Sequence, residues 1–248
     1  MELNKIYCGN SINLLKELGD NSIDMVMTSP PYDNLRAYDD CTWNFEIFKL
    51  IAQELKRVLK NGGVIVWVVA DQTIDGSETG TSFKQALYFK DLGFNLHDTM
   101  IFRKHNFIPL THNRYEQEFE YMFCFSKGKP KTFNPIMIKS KWGGTESWGQ
   151  SKMPYADNTF KLKEKTLVNE YKQAGNIFEY ATGSVVNDKV DHPAVFPKQL
   201  AIDQINSWTN KGDIVLDPFM GSGTTALAAR ERERVDRFWN ISKICGYC

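Results

Sequence analysis

Two short segments, far apart in the chain, combine residue types that could bind a small planar ligand. The first is Thr28-Ser29-Pro30-Pro31-Tyr32, and the second is Asp217-Pro218-Phe219-Met220-Gly221-Ser222-Gly223-Thr224-Thr225. In the first segment two prolines fix the backbone, so the Ser29 hydroxyl and the carbonyls of Ser29 and Pro30 are rigid acceptors beside the ring of Tyr32. These groups suit an amino group on a planar heterocycle.

The second segment is rich in glycine and follows a short apolar run. Gly221 and Gly223 let the backbone approach a ligand, because no Cβ is in the way. A strand, a glycine-rich turn and a helix in succession are typical of nucleotide-type cofactor sites. No lysine follows the glycines, so the segment is not a P-loop. From these residues alone, a tight strand-to-helix turn explains the glycines equally well.

Short apolar runs bounded by turn residues predict the strands that carry both segments. The run at 23–28 leads into the first segment, and the run at 214–216 leads into the second. The continuous apolar run at 64–70 favours a parallel strand covered by helices on both faces. The other predicted strands are at 5–8, 96–103 and 118–126. The predicted helices are one capped by Ser11, one at 45–59 that Asn61-Gly62-Gly63 ends, and three more at 82–92, at 198–209 and from about Thr224.

Composition favours a soluble globular protein and excludes a disordered chain. The 248 residues include 30 Lys and Arg against 30 Asp and Glu, and 42% are hydrophobic. No apolar run approaches the ~18 residues of a membrane-spanning helix, and the first residues do not form a secretory signal. We therefore expect a cytoplasmic protein with one large domain, or one domain with an insert.

Residues 127–189 differ from the rest of the chain. They contain 11 lysines and no arginine, against six acidic residues, and their aromatic residues are spread among glycine, serine, threonine and asparagine. Because hydrophobic periodicity is weak here, we predict a loop-rich insert at 131–190, between core parts at 1–130 and 191–248.

The Ser-Pro-Pro-Tyr tetrad followed by the glycine segment resembles the β class of DNA amino-methyltransferases of restriction–modification systems. Matching pieces also lie at 59–63, 118–127 and 192–197, so the resemblance covers residues 5–229. It implies an α/β fold with an open, mostly parallel Rossmann-like sheet and an inserted target-recognition region. It further implies S-adenosylmethionine as cofactor, double-stranded DNA as partner, and no metal. A companion restriction endonuclease and a homodimer are left open.

The resemblance also assigns roles to residues of this sequence. Ser29, Pro30, Pro31 and Tyr32 would be catalytic, with acceptors on the amino group and the Tyr32 ring stacked on a flipped base. Lys198 would meet the cofactor carboxylate, although a solvated lysine fits equally well. The residues expected at the cofactor are Asn10, Ser11, Thr28, Lys198, Asp217, Pro218, Phe219, Gly221, Ser222, Gly223, and Thr224 and Thr225 as helix caps.

The sequence departs from the family after the glycine segment. The family has a strand there that ends in an acidic residue on the cofactor ribose. Residues 237–241 could form the strand, but neither Asp nor Glu stands at its end. We therefore expect weakened cofactor affinity, and a catalytically impaired DNA-binding relative with a truncated C-terminus is an alternative.

The target base is also open. In the family, Ser at the first position of the tetrad favours cytosine N4 over adenine N6. Methylation of RNA or of a protein amide is a third hypothesis, which the order of the two motifs disfavours.

Overall fold

The computed structural model describes residues 5–32, 43–105, 113–147, 153–154, 160–161, 165–182, 197–232 and 238–242. The helices in these ranges are α1 (Ser11–Lys16), α2 (Phe45–Val58), α3 (Thr81–Asp91), α4 (Lys198–Trp208) and α5 (Thr224–Glu231). The strands are β1 (Lys5–Cys8), β2 (Ile23–Thr28), β3 (Leu59–Val69), β4 (Thr73–Ile74), β5 (Ser77–Glu78), β6 (Asn95–Lys104), β7 (Phe119–Ser126), β8 (Met137–Lys139), β9 (Met153–Pro154), β10 (Phe160–Lys161), β11 (Tyr171–Gln173), β12 (Ile177–Tyr180), β13 (Val215–Asp217) and β14 (Phe238–Ser242). None of these helices is long and apolar enough to cross a membrane.

Eight of the described strands form one sheet in the order β1-β14-β13-β2-β3-β7-β6-β12. β7 runs antiparallel to both of its neighbours, and the other pairs in the sheet are parallel. The predicted open, mostly parallel α/β sheet is therefore confirmed. The strand predicted near 237–241 is present as β14, between β1 and β13.

The central strands are apolar on both faces because helices cover both. Along β3, Ile65, Trp67 and Val69 belong to one buried cluster, together with residues of α1, α2 and α3. The alternating residues of β3, at 64, 66 and 68, belong to a second cluster with residues of α4 and α5. The continuous apolar run thus follows from burial of β3 on both faces. β3 is parallel to β2, as predicted, but antiparallel to β7.

The glycine pair that was predicted to end α2 lies inside a strand, although the helix ends within one residue of the predicted position. The helix ends at Val58, and Leu59 begins β3. Gly62 has a φ of +80°, and a Cβ on Gly63 would lie 2.8 Å from the carbonyl oxygen of Asp24 on the neighbouring strand. These glycines therefore allow an irregularity within the sheet where the two backbones approach closely.

The chain divides into two compact units. Met1–Asn134 and Asn176–Cys248 form the larger one, and Pro135–Gly175 form the smaller. In the smaller unit β8 pairs with β11, and β9 pairs with β10, both antiparallel. The predicted insert extended to 190, whereas β12 pairs with β6 of the main sheet, so residues from 176 onward belong to the larger unit.

Candidate active site

The two sequence segments meet at the carboxyl edge of the sheet. β2 and β13 are adjacent and parallel, so the residues that follow them emerge side by side. At this edge Thr28 Oγ1 donates a hydrogen bond of 2.6 Å to Asp217 Oδ1. Tyr32 and Phe219, one from each segment, pack against the same hydrophobic cluster. Ligands of open α/β sheets bind at this edge.

Asp217 is a buried carboxylate that joins the segments. Besides Thr28, it accepts hydrogen bonds from Thr225 Oγ1 at 2.6 Å and from the Phe219 N–H at 3.0 Å. Burial raises the pKa of Asp217 above its ordinary value, while the three hydrogen bonds act in the opposite direction. The side chains of Thr28, Asp217 and Thr225 therefore bind one another, and they hold the site together from beneath.

The glycine turn leaves the start of α5 open to an anion. Gly221 and Gly223 have φ values of +52° and +86°. Gly223 is the N-cap, and α5 has no side-chain cap hydrogen bond, so the predicted capping by Thr224 and Thr225 is wrong. Both threonines lie inside the helix, where the hydroxyl of Thr225 is directed to Asp217. The first N–H groups of α5 suit the carboxylate of an amino-acid ligand.

The start of α1 supports the glycine turn. Ser11 was predicted to cap this helix, but Asn10 does so, because its Oδ1 accepts from the N–H groups of Ile12 and Asn13 at 3.0 and 3.3 Å. The buried Ser11 hydroxyl instead donates to the carbonyl oxygen of Pro218 at 3.0 Å. Ser11 therefore ties the start of α1 to the turn.

An aromatic wall adjoins the turn. The half-buried Phe219 ring lies edge-on to Trp43 and Trp67, with centroid distances of 5.4 and 6.1 Å. Trp67 is fully buried and donates from Nε1 to Gln85 Oε1 at 2.8 Å. Sequence reasoning missed both tryptophans. The apolar run in β3 indicated burial of Trp67 but not its contact with Phe219.

The proline corner, which comprises residues Thr28–Tyr32, orients Ser29 and Tyr32 toward each other. Pro30 and Pro31 are buried, whereas Ser29 and Tyr32 are partly exposed. Ser29 Oγ donates to the Tyr32 hydroxyl at 2.9 Å, and that hydroxyl donates to Glu120 Oε2 at 2.8 Å. Sequence reasoning also missed Glu120. Its signal was a lone carboxylate within the aromatic and apolar residues of β7.

Lys198 lies at the start of α4 and pairs with Glu231 at the end of α5. The structure therefore places its ammonium group on a protein carboxylate, and the predicted contact with the cofactor carboxylate stays a prediction. Of the matching segment at 192–197, only Pro197 lies within the described residues.

Replacement of Gly223 by alanine should destabilise the protein and weaken binding at the turn. A left-handed φ costs a residue with a Cβ about 1–2 kcal/mol, and the new Cβ would lie 3.3 Å from Met220 Cε. We expect the free energy of unfolding in urea to fall by that amount. We also expect the Kd of S-adenosylmethionine, the cofactor that the resemblance implies, to rise about fivefold in calorimetry. The control is Gly19→Ala, which has no atom within 4 Å of the added Cβ. Equal stability of the two variants would contradict this reading of the turn.

Comparison with known proteins agrees with the fold. The chain matches the profile of a family of N6 and N4 methyltransferases, described as DNA methylase, over residues 23–237. The orphan methyltransferase M.BamHII of Bacillus amyloliquefaciens is 49% identical over 239 residues, covering 94% of this chain and 88% of that protein. The type II methyltransferase M.BglII of Bacillus subtilis is 28% identical over 244 residues, covering 94% and 64%.

Solved structures show the same architecture. The M1.HpyAVI–SAM complex has a TM-score of 0.62 at 26% identity, covering 96% of this chain and 93% of that one. The cytosine-N4-specific PvuII DNA methyltransferase has a TM-score of 0.69 at 19% identity, covering 98% and 83%, which is a likeness of fold alone.

The sheet and its paired corners define a Rossmann-like methyltransferase of the S-adenosylmethionine-dependent class. The profile match and the relative at 49% identity show that the chain belongs to the DNA methylase family, whose members methylate amino groups of DNA bases. The resemblance stated from the sequence is confirmed.

Proposed function

We propose that this chain methylates the exocyclic amino group of a base flipped out of double-stranded DNA, with cytosine N4 as the favoured target. The observation that carries the proposal is the 2.6 Å hydrogen bond between Thr28 and Asp217, which holds the Ser29–Tyr32 corner beside the glycine turn. The preference for cytosine rests on Ser29 at the first position of the tetrad, and adenine N6 is the alternative.

The glycine side would hold the cofactor. Phe219 offers a flat apolar surface, the first amides of α5 offer donors for a carboxylate, and Gly221 lets the backbone approach. When bound, S-adenosylmethionine supplies an electrophilic methyl group on its sulfonium. The turn is positioned by hydrogen bonds among side chains and backbone, in which Thr28, Asp217, Thr225 and Ser11 take part.

The proline side would hold the base. The lone pair of an aromatic amino nitrogen is delocalised into the ring, so the group is a weak nucleophile. Acceptors on its two hydrogens, the Ser29 hydroxyl and the Pro30 carbonyl, favour a pyramidal and more nucleophilic nitrogen. Tyr32 would stack on the base once it has left the duplex. Positioning of the two reactants supplies much of the acceleration.

The smaller unit would supply contacts to DNA. It is rich in lysine, and Lys141 Nζ lies 5.3 Å from the ring centroid of the exposed Trp142. Lysines bind phosphates irrespective of sequence, and recognition of bases needs other contacts. This unit is therefore our proposed target-recognition region.

The relative at 49% identity is named an orphan methyltransferase, which favours action without a companion restriction endonuclease. A homodimer stays a prediction, to be tested by light scattering. We expect the enzyme in the cytoplasm, because its proposed substrate is cellular DNA.

Mass spectrometry of methylated DNA tests the proposal. Plasmid DNA is incubated with the protein and methyl-labelled S-adenosylmethionine, digested to nucleosides and analysed, with RNA and Ser29→Ala as controls. Labelled N4-methylcytosine is the expected product, and labelled N6-methyladenine would correct the base. Cofactor binding in calorimetry without labelled product would favour the impaired relative, and label in RNA alone would contradict a DNA substrate.

A further inference from the structure

The Tyr32 hydroxyl is the middle member of a hydrogen-bonded chain that ends on a carboxylate. Ser29 donates to Tyr32, and Tyr32 donates to Glu120. An ionised carboxylate can only accept, so the single proton of Tyr32 is committed to Glu120, and the Tyr32 oxygen must accept the proton of Ser29. Glu120 therefore fixes the direction of both hydroxyl protons.

The same chain sets the chemical character of Ser29. Because its proton is committed to Tyr32, the Ser29 oxygen meets an amino group as an acceptor and not as a donor. A negative charge at the far end of a hydrogen-bonded chain polarises each member toward it, which strengthens the terminal acceptor. The arrangement thus favours abstraction of a proton at Ser29.

Glu120 is held where it can take up a proton and release it. Its Oε1 lies 2.7 Å from Lys104 Nζ, so Lys104 anchors the carboxylate from the neighbouring strand β6. The side chains of Glu120 and Lys104 are 14% and 27% exposed, which leaves the pair in contact with solvent.

Methylation of an amino group must release a proton. The nitrogen lone pair forms the bond to the methyl carbon, the carbon–sulfur bond breaks, and its electron pair stays on sulfur. The nitrogen then carries a positive charge and loses one hydrogen to become the neutral methylamino product. In the Thr28–Tyr32 corner that hydrogen faces Ser29.

On the basis of the proposed function, we propose that Glu120 is the terminal proton acceptor of the reaction, acting through Tyr32 and Ser29. The amino proton passes to Ser29 Oγ, the Ser29 proton passes to Tyr32 Oη, and the Tyr32 proton passes to Glu120 Oε2. Glu120 ends as a neutral carboxylic acid and returns its proton to water. Ser29 and Tyr32 recover their original protonation, so the step is balanced without any further reactant.

A carboxylate that only anchors the Tyr32 ring would behave differently. Loss of an anchor loosens the stacking surface, so it weakens binding of the flipped base. Loss of the proton acceptor leaves stacking intact and slows the chemical step. Removal of the charge with retention of side-chain size separates these roles.

The test compares Glu120→Gln with Glu118→Gln, its matched control. Glu118 precedes β7 by one residue and pairs with Arg103 of β6, whereas the carboxylate that Tyr32 meets is Glu120. Single-turnover transfer of tritiated methyl is measured with enzyme in excess over a duplex that carries the mapped target. We expect Glu120→Gln to slow transfer on the order of 10²-fold and Glu118→Gln to slow it less than about twofold. Base flipping, followed by 2-aminopurine fluorescence at the target, and the cofactor Kd should stay at wild-type values.

Two further variants test the route through Tyr32. Glu120→Asp restores the charge and should recover part of the loss, whereas an anchoring role would predict no gain over Gln. Tyr32→Phe breaks the chain and keeps the ring, so adding Glu120→Gln to it should slow transfer no further. Multiplicative losses in the double variant, weakened flipping in Glu120→Gln, or a rate near wild type would overturn the relay. Failure of the wild-type protein to methylate DNA would instead contradict the proposed function.

Discussion

Replacement of Asp217 by alanine will lower the free energy of unfolding by about 3 kcal/mol, because buried donors left without an acceptor cost about 1–3 kcal/mol each. The variant leaves the Thr28 hydroxyl and the Phe219 N–H without this acceptor, and the Thr225 hydroxyl keeps only its longer contact of 3.4 Å with the Met27 carbonyl. Urea unfolding measures the loss, and calorimetry should show weaker cofactor binding, because the turn is no longer tied to β2.

The control for this prediction is Asp91→Ala. Asp91 is the exposed last residue of α3, so its loss should change the unfolding free energy by less than about 0.5 kcal/mol. Equal losses of unfolding free energy in the two variants would mean that the hydrogen bonds of Asp217 do not hold the two segments together.

Asparagine at 217 separates the hydrogen bonds from the charge. An amide oxygen in place of Oδ1 still accepts from Thr28 and from Phe219. The amide NH₂ would face Thr225, whose hydroxyl can turn to the Met27 carbonyl, 3.4 Å away. We therefore expect Asp217→Asn to destabilise the protein much less than Asp217→Ala.

The pH dependence of stability reports the buried charge. Burial raises the pKa of Asp217 in the folded protein, so the folded state holds this proton more tightly than the unfolded chain does. The protonated Asp217 side chain therefore contributes favourably to folding stability below the ordinary pKa of 3.8. This contribution is lost as the pH rises through the raised pKa of the folded state. The wild type should therefore lose stability relative to Asp217→Asn as the pH rises above about 4 and passes through the raised folded-state pKa. A constant difference across that range would show that the carboxyl is not perturbed.

Much of the sheet could be predicted because its strands are buried on both faces. Continuous apolar runs identified β2 and β3 within a few residues, and the edge at which they end located the two corners. The predictions that failed concern residues whose conformation depends on neighbours distant in sequence. Gly62 and Gly63 are ordinary helix-ending signals, and their sequence does not show that the backbone of β2 lies against Gly63 or that Lys129 and Lys131 lie against Gly62.

The polar partners of the site were the least predictable part. Ser11 carries a normal capping side chain, but the carbonyl of Pro218, 207 residues away in sequence, takes its hydroxyl. Glu120 is distinctive in the sequence only as a charged residue in an apolar strand, and nothing in its local sequence indicates that it accepts a hydrogen bond from Tyr32. Such contacts follow from strand order, because β7 enters the sheet beside β3 and not beside β2.

Replacement of Tyr32 by alanine will produce the largest loss of methyl transfer, on the order of 10³-fold in single turnover. Two losses combine in this variant. Removal of the ring abolishes stacking, which contributes about 1–3 kcal/mol per base, and removal of the hydroxyl separates Ser29 from Glu120, which slows proton transfer on the order of 10²-fold. Tyr32→Phe keeps the ring and should show only the second loss, with base flipping unchanged.

Tyr115→Ala makes the same chemical change at a fully exposed tyrosine and should alter transfer less than about twofold. Cofactor binding should be retained in Tyr32→Ala, because Phe219 and the glycine turn are held by Asp217 and Ser11, not by Tyr32. A variant that loses transfer and cofactor binding together would show that the two corners form one binding surface. Separate losses would show that the base and the cofactor are held by different strands, which the order of β2 and β13 in the sheet predicts.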